Sequence, residues 1–216
     1  MFKSNILIGF LAITVFALTA AVKDNTNLQR ISQKYKNAKL VEMDVEKTVT
    51  STLLGRETKH SGKIYLSHGK FRWENETPEK SLLVFDGNTI WSEQTPPVEL
   101  GGPVQVARGK VDKKNRSHIL VSSLLGADLQ GNFDITSEKI EGNQSTFVMK
   151  PKTDDLTIKS VTVVADTKDK TLREVRYEDE VGNETKIKLS NIQFLNKEKR
   201  KLFQYQPPKG AQVTDL

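Results

Sequence analysis

The side chains able to attack a bond, hold a metal or move a proton are few in this 216-residue chain, and their spacing is poor. Its three histidines, His60, His68 and His118, include no pair at the i, i+4 spacing of a helical metal site, and no cysteine joins them. No metal or other cofactor is expected. Gly55 and Gly62-Lys63 suggest a phosphate loop, but six residues intervene where the loop has four, and Ile64 stands where a magnesium-binding hydroxyl belongs. No Gly-x-Ser-x-Gly elbow occurs. The acidic run Glu42, Asp44, Glu46 alternates with apolar residues, which is the solvated face of a strand rather than a catalytic carboxylate pair. The chain reads as a binding protein, not an enzyme.

The residues that stand out are aromatic. In Gly62-Lys-Ile-Tyr-Leu-Ser-His-Gly-Lys-Phe-Arg-Trp-Glu, Phe71 and Trp73 alternate with Arg72 and Glu74, so a two-residue period puts both rings on one face of a strand and both charges on the other. Pro78 separates this strand from Leu82-Leu-Val-Phe, and Asp86-Gly87-Asn88 is a hairpin signal leading to Ile90-Trp91. Leu83 and Phe85 share one face and Leu82 and Val84 the other; both faces are apolar, so the pattern leaves the inward one open.

These strands belong to a longer run. Leu28, Ile31 and Tyr35 fall at the spacing of an amphipathic helix, with Asn25 or Thr26 to cap it. From Leu40 the period becomes two, with Val41, Met43, Val45 and Val49 on one face, and Ile64 and Leu66 repeat the pattern in the next strand. Pro96-Pro97 and Gly101-Gly102-Pro103 interrupt pairing and predict a loop or edge. Ser117 can cap a short helix with Leu120, Val121, Leu124 and Leu125 on one side, closed by Gly126. Strands return at Phe133–Ile135, Thr146–Met149, Ile158–Val164, Leu172–Tyr177 and Lys186–Leu189, the last two joined by a turn at Val181-Gly182-Asn183. The class is α+β, one large curved antiparallel sheet with about two helices, in a single domain.

Residues 1–21 carry Lys3 ahead of an apolar run from Ile6 to Ala20 and end in Thr19-Ala20-Ala21. This is the layout of a secretory signal peptide, shorter than the ~20 apolar residues of a membrane span, with cleavage expected after Ala21 and a domain over 22–216. The net charge of +6 includes two basic clusters, one at Arg108, Lys110, Lys113, Lys114 and Arg116 and the other at Lys197, Lys199, Arg200 and Lys201. No aromatic residue is interleaved with either, so they read as solvated surface or a dock for acidic partners rather than a nucleic-acid site.

The aromatic block from Phe71 to Trp91 and the ending Phe203-Gln-Tyr-Gln-Pro-Pro-Lys-Gly-Ala-Gln-Val resemble the periplasmic outer-membrane lipoprotein carrier family (LolA) from about Leu28 to Val213. The resemblance implies a half-open antiparallel β-barrel covered by helices acting as a lid, in which the segments around Ile31 and around Leu120 and Leu124 are the lid. It implies a periplasmic chaperone, a monomer that takes acylated lipoproteins from an inner-membrane ATP-driven transporter to an outer-membrane acceptor. The acyl chains would lie on Val45, Val49, Ile64, Leu66, Phe71, Trp73, Leu83, Phe85 and Trp91. Each methylene exposed to water costs about 0.8 kcal/mol, so a chain of ~15 needs on the order of 12 kcal/mol of shelter. One departure stands out. The basic residue and proline that many members carry before the aromatic strand are replaced by Ser67-His68-Gly69-Lys70, so no lid-latch residue carries over. The alternative is a sensing module on the same half-barrel that detects mislocalised lipid or lipoprotein; a second domain usually accompanies that role, and none is read here.

Overall fold

The computed structural model describes residues 27–111, 129–153 and 158–216. The expected signal peptide and the expected helix with Leu120 and Leu124 lie outside these residues. Helix α1 (Asn27–Asn37) buries the predicted stripe Leu28, Ile31 and Tyr35 together with Ser32, and carries Lys34 and Lys36 in its last turn, where cations favour the helix dipole. Strands β1 (Leu40–Ser51), β2 (Arg56–Ser67), β3 (Lys70–Thr77), β4 (Ser81–Phe85), β5 (Thr89–Gln94) and β6 (Gln105–Lys110) follow. A single-turn helix α2 (Leu129–Asn132) leads into β7 (Phe133–Glu141), β8 (Gln144–Pro151), β9 (Ile158–Asp166), β10 (Thr171–Asp179) and β11 (Glu184–Leu195). A 3-10 turn (Arg200–Phe203) and β12 (Gln212–Asp215) end the chain.

All the strands join one sheet in the order β12, β6, β5, β4, β3, β2, β1, β11, β10, β9, β8, β7. Every pairing is antiparallel except the parallel contact of β12 with β6. Among the described residues the edges β12 and β7 are not joined, so the sheet is curved and open. Strands β6 and β12 were not foreseen. The expected loop gives way at Gln105, and Arg108 of the first basic cluster pairs with Asp215 of β12. In the second cluster Lys199 pairs with Glu42 at 3.3 Å and Arg200 with Glu198 at 3.0 Å.

Register fixes the faces. Because cross-strand partners share a face, Val41, Leu66, Phe71, Phe85 and Ile90 form one row from β1 to β5, and Met43, Ile64, Trp73 and Leu83 form the next. On the other half Lys47, Ile187, Val175, Val163 and Phe147 make a row across β1, β11, β10, β9 and β8. This face and the stripe of α1 form the main apolar cluster. Leu28, Ile64, Phe71, Phe147 and Val163 have no exposed surface, and each such side chain contributes roughly 1.5–3 kcal/mol by burial. The hairpin turns are local. Asp86 Oδ1 accepts from the backbone N–H of Asn88 at 2.9 Å and of Thr89 at 2.8 Å, while Gly87 takes φ +103°, a conformation strained for residues with a Cβ. Asp179 does the same for Val181 and Asn183.

Candidate functional site

The helix-covered face collects most of the expected ligand-lining residues. Val45, Ile64, Leu66, Phe71, Trp73 and Phe85 are buried in one cluster, with Leu83 packed against it; Val49 is half-buried and outside the cluster. The open question about β4 resolves to Leu83 and Phe85, which pair with Trp73 and Phe71; the Phe71 and Phe85 rings lie 5.9 Å apart. Ile31 lies in this cluster and is 1% exposed, so α1 covers the sheet. The tie is specific. Leu172 N–H donates to the buried Tyr35 hydroxyl at 3.1 Å, burial raises that phenol to about 12, and the Tyr35 ring meets Phe194 edge-on at 5.1 Å.

Trp91 departs from its expected place. It pairs with Val84, which pairs with Arg72, so it shares the face opposite Phe71 and Trp73. Its ring packs tilted against Tyr205 at 5.3 Å between centroids, the Tyr205 hydroxyl donates to Glu93 at 2.5 Å, and Arg108 lies 5.8 Å from the indole centroid. The aromatic block and the closing block therefore meet on this second face, where Arg72 also bonds Glu74 at 2.5 Å and donates to the Leu202 carbonyl at 3.2 Å. Val84 and Phe203 are buried outside the main cluster. The physical reason is parity. Ile90, one residue earlier than Trp91, is the large apolar β5 residue on the helix-covered face.

Sequence reasoning missed the second half of the apolar face, Phe147, Val161, Val163, Val175, Ile187 and Leu189, although their strands were recognised; period-two alternation would have selected them. It also passed over Lys47, which stands in register between Val45 and Val49 where an apolar residue is expected. In the segment Ser67-His68-Gly69-Lys70 ahead of the aromatic strand, Ser67 is 3% exposed and donates to the Lys39 carbonyl at 2.7 Å, tying β2 to the turn after α1. Among the described residues no group of three or more His, Asp or Glu could hold a metal ion, and no helix is long and apolar enough to cross a membrane.

A large, mostly antiparallel open sheet with one largely apolar face under a helix defines the class of this α+β protein. The family described as outer membrane lipoprotein carrier protein LolA matches residues 36–206, and the chain belongs to that family. An outer-membrane lipoprotein carrier protein of Nitrosospira multiformis is 26% identical over 205 residues, covering 94% of this chain and 96% of that protein. One from Azotobacter vinelandii is 27% identical, covering 94% and 95%, and one from Legionella pneumophila 29% identical, covering 72% and 74%. Among solved structures, an uncharacterized conserved protein from Thermus thermophilus shares the fold at a TM-score of 0.52 and 13% identity, covering 88% of this chain and all of that one.

Proposed function

We propose that this protein is a periplasmic lipoprotein carrier that shelters acyl chains on the helix-covered face of its sheet. The carrying observation is the broad apolar surface from Phe85 through Phe71, Ile64, Val45 and Ile187 to Phe147, onto which α1 packs three large side chains, Leu28, Ile31 and Tyr35. Relatives named as outer-membrane lipoprotein carriers support the same reading. Magnitudes agree with an exchange. Three buried side chains hold α1 by roughly 4.5–9 kcal/mol, whereas sheltering ~15 methylenes gains on the order of 12 kcal/mol, so an incoming acyl chain can displace the helix without a fuel of its own. Helix α1 then acts as a lid with the segment around Leu120 and Leu124, and loading and unloading fall to an inner-membrane ATP-driven transporter and an outer-membrane acceptor.

Mass spectrometry of the protein purified from periplasm tests this. Acylated lipoproteins copurifying in near-equal ratio are the expected result, with loading lost in Phe71→Glu. Copurification of free lipid alone, unaffected by that change, would overturn the carrier role.

A further inference from the structure

A half-buried lysine interrupts the apolar face. Lys47 stands between Val45 and Val49 on β1, with His60 of β2 as its partner on one side and Ile187 of β11 on the other. The ammonium lies 5.7 Å from the Trp73 ring centroid, and Gly62, next to His60 on the same face of β2, adds no side chain beside it. Gly62 is itself obligatory, since a Cβ there would lie 1.8 Å from the Glu74 carbonyl oxygen. Several lysines elsewhere on the sheet are paired: Lys63 with Asp44 at 3.0 Å, Lys159 with Glu178 at 2.7 Å, Lys139 with Glu141 at 2.7 Å. Lys47 forms no ion pair with the described residues.

A second, independent observation lies beside it. The indole N–H of Trp73, a residue only 6% exposed, has no acceptor among the described residues, although buried donors almost always have one. A partly buried, unpaired ammonium costs free energy that an anion would recover, and an unsatisfied N–H nearby is a second donor for the same ligand. Burial pushes Lys47 below its ordinary value, and burial followed by the charge of Lys47 does the same to His60, while Glu79 acts the other way.

We infer that Lys47, His60 and the Trp73 indole N–H form an anion-binding subsite that takes the carboxylate or phosphate headgroup of an acyl amphiphile whose tail lies on the apolar face. This rests on the carrier reading for the tail and goes beyond it for the headgroup: the protein distinguishes amphiphiles by charge, not by apolar length alone. The row continuing from Lys47 through Ile187, Val175, Val163 and Phe147 gives the tail its direction.

Calorimetric titration of the purified chain with dodecanoate, dodecyl phosphate and dodecanol, each below its micelle concentration, separates headgroup from tail. At least one anion should bind about tenfold or more tighter than the alcohol, as expected for a charge-assisted hydrogen bond, and the tighter of the two identifies the headgroup chemistry. Lys47→Met, similar in volume, should abolish that preference while leaving dodecanol binding and the melting temperature nearly unchanged; His60→Leu should reduce it without abolishing it. Equal binding of all three by the native chain, or an anion preference that survives Lys47→Met, would overturn the subsite and leave the apolar-face reading standing. Failure of all three to bind would overturn both.

Discussion

Replacing Ile31 by alanine separates a lid from a core helix. Ile31 is 1% exposed in the main cluster, so its truncation leaves a cavity and costs roughly 2–5 kcal/mol of the contact between α1 and the sheet. If α1 opens as a unit while the sheet stays folded, that cost falls on the closed state alone, and the open population rises roughly 30- to 5000-fold. Amide hydrogen exchange reads this directly, because α1 amides exchange through the open form while those of β1 and β11 exchange through global unfolding. Exchange across Asn27–Asn37 should accelerate by that factor, with rates in Leu40–Ser51 and Glu184–Leu195 little changed. A fluorescent hydrophobic dye should bind more strongly to the same variant below its melting transition. Equal acceleration in α1, β1 and β11 would show that α1 opens only when the protein unfolds, and the lid would have to be abandoned.

Three further outcomes follow from the faces of the sheet. Phe71→Glu sets a charge among acyl chains and should abolish cargo loading in a copurification assay, whereas Arg72→Ala, which frees the Leu202 carbonyl and the Glu74 carboxylate on the other face, should cost about 1–3 kcal/mol of stability in denaturant titration and leave loading intact. Trp91→Ala should likewise lower stability, through lost contact with Tyr205, without impairing loading, and Trp73→Ala should do the reverse of this split by weakening loading; equal loading defects would sink the facial assignment. The Asp44 carboxyl is held below its ordinary value by hydrogen bonds from Asn191 and then Lys63, so its contribution is present above the unfolded value of about 3.9 and is lost as pH falls through the lower folded value. Asp44→Asn should therefore flatten the decline of melting temperature below about pH 4, and an unchanged decline would assign the acid sensitivity elsewhere.

Local information was written plainly in the chain. The stripe Leu28, Ile31, Tyr35 specified α1, alternation specified β1 to β3, and Asp86-Gly87-Asn88 specified its turn, because periodicity and turn chemistry depend only on near neighbours. The likeness to lipoprotein carriers was legible too, since it rests on the order of residues. Tertiary pairing decided the rest. Which side of Leu82–Phe85 faces inward, and that Trp91 belongs with Tyr205 rather than Trp73, follow from register between strands, where a shift of one residue exchanges the faces. Strands β6 and β12 exist because Gln105–Lys110 finds a parallel partner in Gln212–Asp215, a hydrogen-bonded pairing between segments about a hundred residues apart that neither segment encodes by itself. Lys47 carries the same lesson: in sequence it is one lysine among many, and only the sheet sets its ammonium over Trp73 on a largely apolar face.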